Sequence, residues 1–232
     1  MAPSENDYLL LNPDWHEEDA AWKARQLLPV IGTPPPATIC DVGCGVGAVL
    51  GELHVRFPEV TFVGYEVAAT PHSRAQRRAT DRLSFRLGDA AEDPETFELM
   101  LILDVIEHVP DPMAFLARLR FKARRALIHI PLDLSVQSVL RPSKLLAQRT
   151  RIGHIHYFTP ETALATVTDA GYRIDSFTYT TPFWGLPPRS RKAAAARMVR
   201  KALPRRVSVR LLGGYSLLVS ATPRTDTISG TA

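Results

Sequence analysis

Between residues 38 and 131 the chain alternates short apolar runs with amphipathic stretches, in the order TICDV, VLGELHVRF, VTFVGY, PHSRAQRRA, LSFRL, FELMLIL, PMAFLARLRF and RALIHI. Short apolar runs separated by helical patterns fit strands of a parallel sheet covered by helices on both faces. The fold class that follows is doubly wound α/β. At 232 residues, with 45% apolar and 22% charged residues, the chain can enclose one substantial core.

The flanks are read around that unit. Residues 1–36 form an N-terminal helical lid: Asp14 can cap a helix carrying Trp22, Leu27 and Leu28, and Pro34, Pro35 and Pro36 forbid its continuation. The main domain runs over residues 37–222. Within it, residues 132–159 fit no strand and are expected as an insertion over the sheet's carboxyl edge, where ligands bind in such folds. Pro160 starts a helix that Gly171 ends. RIDSFTYTT and YSLLVSATP read as the last two strands, residues 186–210 as a basic helical insertion between them, and residues 223–232 as a polar, frayed tail.

No run approaches the ~20 apolar residues of a membrane span, and the polar start MAPSENDYLL lacks the pattern of a secretory leader, so a cytoplasmic location is expected. Cys40 and Cys44 are the only cysteines. They stand in one Gly-rich segment with no second pair, which predicts small reduced side chains rather than a disulfide or a zinc site.

In Asp41-Val42-Gly43-Cys44-Gly45-Val46-Gly47 the glycines fall after a buried strand and before an amphipathic helix, where the backbone must turn and approach a ligand closely. Gly43, Gly45 and Ala48 also satisfy a loose dinucleotide pattern. A carboxylate at Asp41 would repel a pyrophosphate but suits the ammonium of an amino-acid-like ligand. Glu66 closes the second strand, where it can accept from both hydroxyls of a ribose, and Asp89 after the third can accept from an adenine amino group. DVGCGVG, Glu66, GDA and the later LDVIEHVPDP, in this order and spacing, resemble the motifs of class I S-adenosylmethionine-dependent methyltransferases. The resemblance covers residues 38–131 closely. It implies S-adenosylmethionine as cofactor and a seven-stranded Rossmann-like sheet ending in an antiparallel hairpin. It places Asp41, Gly43, Gly45 and Gly47 at the methionine end, Glu66 at the ribose, and Asp89 with Ala90 at the adenine, with Asp104 at the end of the fourth strand near the reacting carbon.

If the segment after Leu103 coils as a helical turn, Asp104, Glu107 and His108 share one face at i, i+3 and i+4. Two carboxylates and an imidazole together make either a base with its orienting partner or ligands for a divalent ion such as Mg²⁺. Similar segments occur in ubiquinone-pathway O-methyltransferases and small-RNA 2′-O-methyltransferases, where they are associated with metal dependence. The candidate bases are His108, His154 and His156; the candidate ligands are Asp104, Glu107, His108 and His154. His129 reads as a hydrogen-bonded strand residue, and Tyr157, Phe183 and Trp184 as a candidate aromatic wall. The expected reaction is O-methylation of a small acceptor such as a sugar, glycolipid or secondary metabolite. RNA 2′-O-methylation and nicotinamide-dependent oxidoreduction on a similar fold remain the alternatives.

The net charge of +4 is unevenly spread, because no acidic residue occurs between Asp175 and Asp226 while Arg and Lys accumulate there. On a helix over about 190–203, Ala195, Met198, Val199, Ala202 and Leu203 share one face and Arg197, Arg200 and Lys201 the other. Such a helix can meet an anionic acceptor or a membrane surface; nucleic acid ranks last, since interleaved aromatic residues are missing. Monomer and homodimer are both open.

Overall fold

The alternating runs become a seven-stranded sheet in the order β3-β2-β1-β4-β5-β7-β6. The computed structural model describes Trp15, residues 17–181, Met198 and residues 202–225. The strands are β1 (Thr38–Val42), β2 (Thr61–Glu66), β3 (Leu83–Leu87), β4 (Phe97–Leu103), β5 (Ala123–Leu132), β6 (Tyr172–Thr180) and β7 (Tyr215–Pro223). The first five run parallel, and β7 slots antiparallel between β5 and β6. The antiparallel closing pair is therefore the one expected from the sequence.

β4 shows why the runs are largely apolar, with Leu99–Leu103 apolar at every step. Leu99 and Leu101 pack on one face with Leu27, Ile31, Leu50 and Leu53, while Met100 and Ile102 pack on the other with Leu116, Leu119, Ala163 and Val167. The first group of partners comes from α1 (Ala20–Ile31) and α2 (Ala48–Arg56), the second from α4 (Pro112–Leu119) and α7 (Pro160–Asp169). A strand covered on both faces has no position where a polar side chain is cheap, and each buried Leu or Ile contributes about 1.5–3 kcal/mol.

Helix limits follow local chemistry. α4 has Pro112 in its first turn, and the Asp111 carboxylate accepts from Ala114 N at 2.9 Å; α7 starts on a capping box between Thr159 and Thr162. PHSRAQRRA forms a shorter helix than its pattern suggests, α3 (Ala69–Ala75), before tightening into a 3₁₀ turn over Gln76–Arg78. α1 begins after Asp19 and continues through Pro29. Asp14 lies outside the described residues, as do His16, Phe183, Trp184 and most of the 190–203 segment.

Leu132 still belongs to β5, so the segment above the sheet begins one residue later than expected and folds as α5 (Val136–Val139) and α6 (Pro142–Arg151). Sequence reasoning assigned no separate helix to α8 (Arg205–Leu212), which abuts α5: a Cβ on Gly213 would come within 2.7 Å of Ser135 Oγ, the α5 cap. No helix among the described residues is long and apolar enough to cross a membrane.

Candidate active site

The carboxyl ends of β1, β2, β4 and β5 bring the predicted residues to one edge. After β1 the chain turns through Gly43, Gly45 and Gly47, all at positive φ, into α2. The three glycines are not equivalent. A Cβ at Gly43 would meet Val105 Cγ2 at 2.8 Å and one at Gly47 would meet the Phe85 ring at 2.4 Å, whereas a Cβ at Gly45 would meet nothing within 4 Å. Gly43 and Gly47 are required for close packing inside the protein; Gly45 alone opens on space a ligand can take.

Glu66, buried at the end of β2, pins this loop: Oε2 accepts from Gly45 N and Oε1 from Ala68 N, both at 2.9 Å. Each carboxylate oxygen retains a lone pair for a further donor. Asp41 is 2% exposed and its Oδ1 has no hydrogen-bond partner. Burial, opposed by Lys23 and reinforced by Glu66, pushes its carboxyl up to about 8. An uncompensated carboxyl beside an open glycine is the complement of a ligand ammonium. Asp89 Oδ1 accepts from Ala91 N at 2.9 Å and Oδ2 pairs with Arg118 at 3.0 Å, while Ala90 is buried beside it. The residue set fits S-adenosylmethionine: Asp41 for its ammonium, Glu66 for its ribose, Asp89 for its adenine.

At the end of β4 the structure departs from the expected helical face. Asp104 sits at φ +56°, and His108 N closes a turn on Val105 O at 2.9 Å. The Asp104 carboxylate is taken up by Lys23 Nζ at 2.7 Å and His129 Nδ1 at 2.6 Å. Its electrostatic and hydrogen-bonded contacts with His129 and Lys23 overcome burial and hold its carboxyl well below the usual range. Asp104 is thereby removed from the proposed ligand set and helps anchor α1 instead. His129 is the hydrogen-bonded strand residue expected, with Nε2 2.7 Å from Thr180 Oγ1.

Glu107, His108 and His154 do converge: one ligand atom from each lies within 4.8 Å of the others. Glu107 is fully buried, and neither carboxylate oxygen has a hydrogen-bond partner. Burial, with Asp104 and Asp133 nearby, drives its carboxyl well above the usual range. His108 Nδ1 faces the Gly153 carbonyl at 3.1 Å, and His154 Nδ1 faces Asp133 Oδ2 at 2.7 Å. Both partners only accept, so each ring donates from Nδ1 and turns Nε2, a lone-pair site in the neutral ring, toward Glu107, at 3.9 and 3.8 Å. His156 is apart, its Nε2 3.1 Å from Pro110 O, and it does not join this cluster. The Tyr157 hydroxyl donates to Leu145 O at 3.1 Å, tying the loop to α6.

Sequence reasoning missed Asp133 and Lys23. Asp133 follows β5 as Asp41 follows its own apolar run, and that strand-end carboxylate was the available signal. Lys23 gave none, since its partner Asp104 is remote in sequence.

With this geometry in place, comparison with known proteins is specific. Residues 15–176 match the methyltransferase domain family, and the chain belongs to it, as a class I S-adenosylmethionine-dependent methyltransferase. This removes the nicotinamide oxidoreductase alternative. Trans-aconitate 2-methyltransferase of Deinococcus radiodurans is 33% identical over 111 residues, 47% of this chain and 43% of that protein. The ubiquinone biosynthesis O-methyltransferase of Photobacterium profundum is 30% identical over 86 residues, 34% of this chain and 36% of that protein. The chain thus spans less than half the length of these curated relatives. A methyltransferase from Thiobacillus denitrificans, solved with S-adenosyl-L-homocysteine, shares the fold with TM-score 0.64 at 14% identity, over 97% of this chain and all of that one.

Proposed function

We propose that this protein methylates an oxygen of a small-molecule acceptor, with S-adenosylmethionine as donor. One observation carries the choice of oxygen: two imidazoles with Nδ1–H committed elsewhere direct Nε2 toward one point beside a buried carboxyl. Bound S-adenosylmethionine supplies a sulfonium methyl whose transfer leaves the S–C electron pair on sulfur. His108, the more exposed of the two rings, accepts the acceptor's hydroxyl proton on Nε2 as the oxygen–carbon bond forms. His154 is held in place by Asp133, which Gln148 Nε2 steadies through Oδ1 at 2.7 Å.

The test is transfer of labelled methyl from S-adenosylmethionine to panels of hydroxylated and amino acceptors. His108→Gln is expected to lower kcat about 100-fold or more while leaving S-adenosylhomocysteine affinity intact. Methylation confined to nitrogen, or an unaffected kcat, would refute the reading.

A second reading rests on the orphaned Glu107 oxygens and the same converging lone pairs. Glu107, His108 and His154 fit a divalent ion, and two imidazoles with one carboxylate suit a borderline metal such as Mn²⁺ or Zn²⁺ better than Mg²⁺. Such an ion would lower the pKa of a coordinated hydroxyl. Chelation that abolishes turnover, with restoration by one of these ions, would favour it over the metal-free base.

A further inference from the structure

α6 is a ten-residue helix of which no residue is buried, and α5 beside it buries none either. A helix this short is marginal in water unless it packs an apolar face. Here the apolar side chains point outward: Leu140 is 76% and Leu146 61% exposed, and Val136 and Val139 are exposed with them. α8, which abuts α5, adds exposed Val207 and Leu211.

The charge around these side chains has one sign. No acidic residue occurs between Asp133 and Glu161, a stretch carrying Arg141, Lys144, Arg149 and Arg151. α8 contributes Arg205, Arg206 and Arg210, the last paired with Glu161.

We propose that α5, α6 and α8 form a docking face for an anionic lipid bilayer. Aliphatic side chains ringed by Arg and Lys are what an interfacial contact needs, because the aliphatics enter the acyl boundary and the cations meet the headgroups. A second copy of this chain would bring like charges together across a two-fold contact. A single-stranded nucleic acid would call for aromatic platforms where this face offers Val and Leu.

The face adjoins the site. The α5–α6 segment leaves β5 at Asp133 and comes back beside Glu107 and His108 at Gly153 and His154, and the Asp133 and His154 side chains are hydrogen-bonded at 2.7 Å. A bilayer on this face would bring the polar end of a membrane-borne acceptor near His108, a consequence that rests on the proposed reaction. Docking itself does not.

The experiment is co-sedimentation of the full chain with phosphatidylglycerol–phosphatidylcholine vesicles and with pure phosphatidylcholine vesicles, for wild type and the Leu140→Asp/Leu146→Asp variant. The expected result is binding to the anionic vesicles, weakened at least about tenfold by the double substitution, with S-adenosylhomocysteine affinity retained. Equal wild-type binding to both vesicle types, or none, overturns the proposal without any variant. So does a double variant that folds and sediments like wild type, a preference for RNA over vesicles, or a lipid-free dimer that the leucine substitutions dissociate. Vesicle binding without methyl transfer would count against the reaction alone.

Discussion

Gly45 and Gly47 both lie at positive φ, yet alanine at the two positions should fail in different ways. A non-glycine residue in the left-handed region costs about 1–2 kcal/mol. At Gly45 nothing else is added, because the new methyl meets no atom within 4 Å. For a chain of this size each kcal/mol lowers Tm by about 2–4 °C, so Gly45→Ala should melt about 2–8 °C below wild type. At Gly47 the methyl lands 2.4 and 2.5 Å from two carbons of the Phe85 ring. Overpacking of that kind adds about 1–3 kcal/mol, giving a Tm loss of about 4–20 °C. Cofactor affinity should respond in the opposite order of specificity: Gly45→Ala fills the space assigned to the methionine end and is expected to weaken S-adenosylhomocysteine binding more than about tenfold despite its mild effect on folding. Differential scanning fluorimetry and calorimetric titration on the same preparations measure both. A Gly45→Ala variant that binds S-adenosylhomocysteine as tightly as wild type would refute the assignment of that space.

Asp41, raised by burial from 3.8 to about 8, keeps its proton in the folded chain where the unfolded chain has lost it. Its contribution to stability is therefore present below pH ~4 and declines as pH rises toward 8; Asp41→Asn should flatten the pH dependence of denaturant midpoints over that window. Asp104 works in the opposite sense, its lowered carboxyl adding stability above the ordinary aspartate range that is lost only in acid. Lys23→Met removes one partner of this partly buried pair while keeping the side-chain stem. It should cost about 1–3 kcal/mol and make the 17–31 segment more susceptible to limited proteolysis; an unchanged cleavage pattern would show that the pair does not hold α1. Glu107→Gln should fold at least as stably as wild type at neutral pH, because it removes a carboxyl that burial penalises, yet lose turnover. A large drop in Tm would contradict that.

The fold was legible wherever local pattern and tertiary demand coincide. Leu99–Leu103 and Ala126–Ile128 are apolar at every step because both faces of β4 and β5 are covered, and Pro160 and Gly171 bound α7 through their own backbone preferences. Glu66 and Asp41 were legible because strand ends fix where a side chain goes. The chemistry after β4 was less so: one left-handed residue, Asp104, rotates the segment out of the helical face its spacing suggests. The return of His154 to Glu107, and not of His156, depends on the Asp133 hydrogen bond across the α5–α6 segment, which no local pattern encodes. The anchoring of α1 by Lys23 is hidden for the same reason, as is the outward turn of Leu140 and Leu146.

The most direct measurement is calorimetric titration of the purified chain with S-adenosylhomocysteine and, separately, with NAD, repeated on Asp41→Asn. The expected result is stoichiometric binding of S-adenosylhomocysteine, no heat from NAD, and weaker binding by the variant, whose amide, unlike the Asp41 carboxyl, cannot give up a proton to face an ammonium as a carboxylate. Binding of NAD, or of neither ligand by a folded preparation, would contradict the cofactor assignment on which the proposed reaction depends.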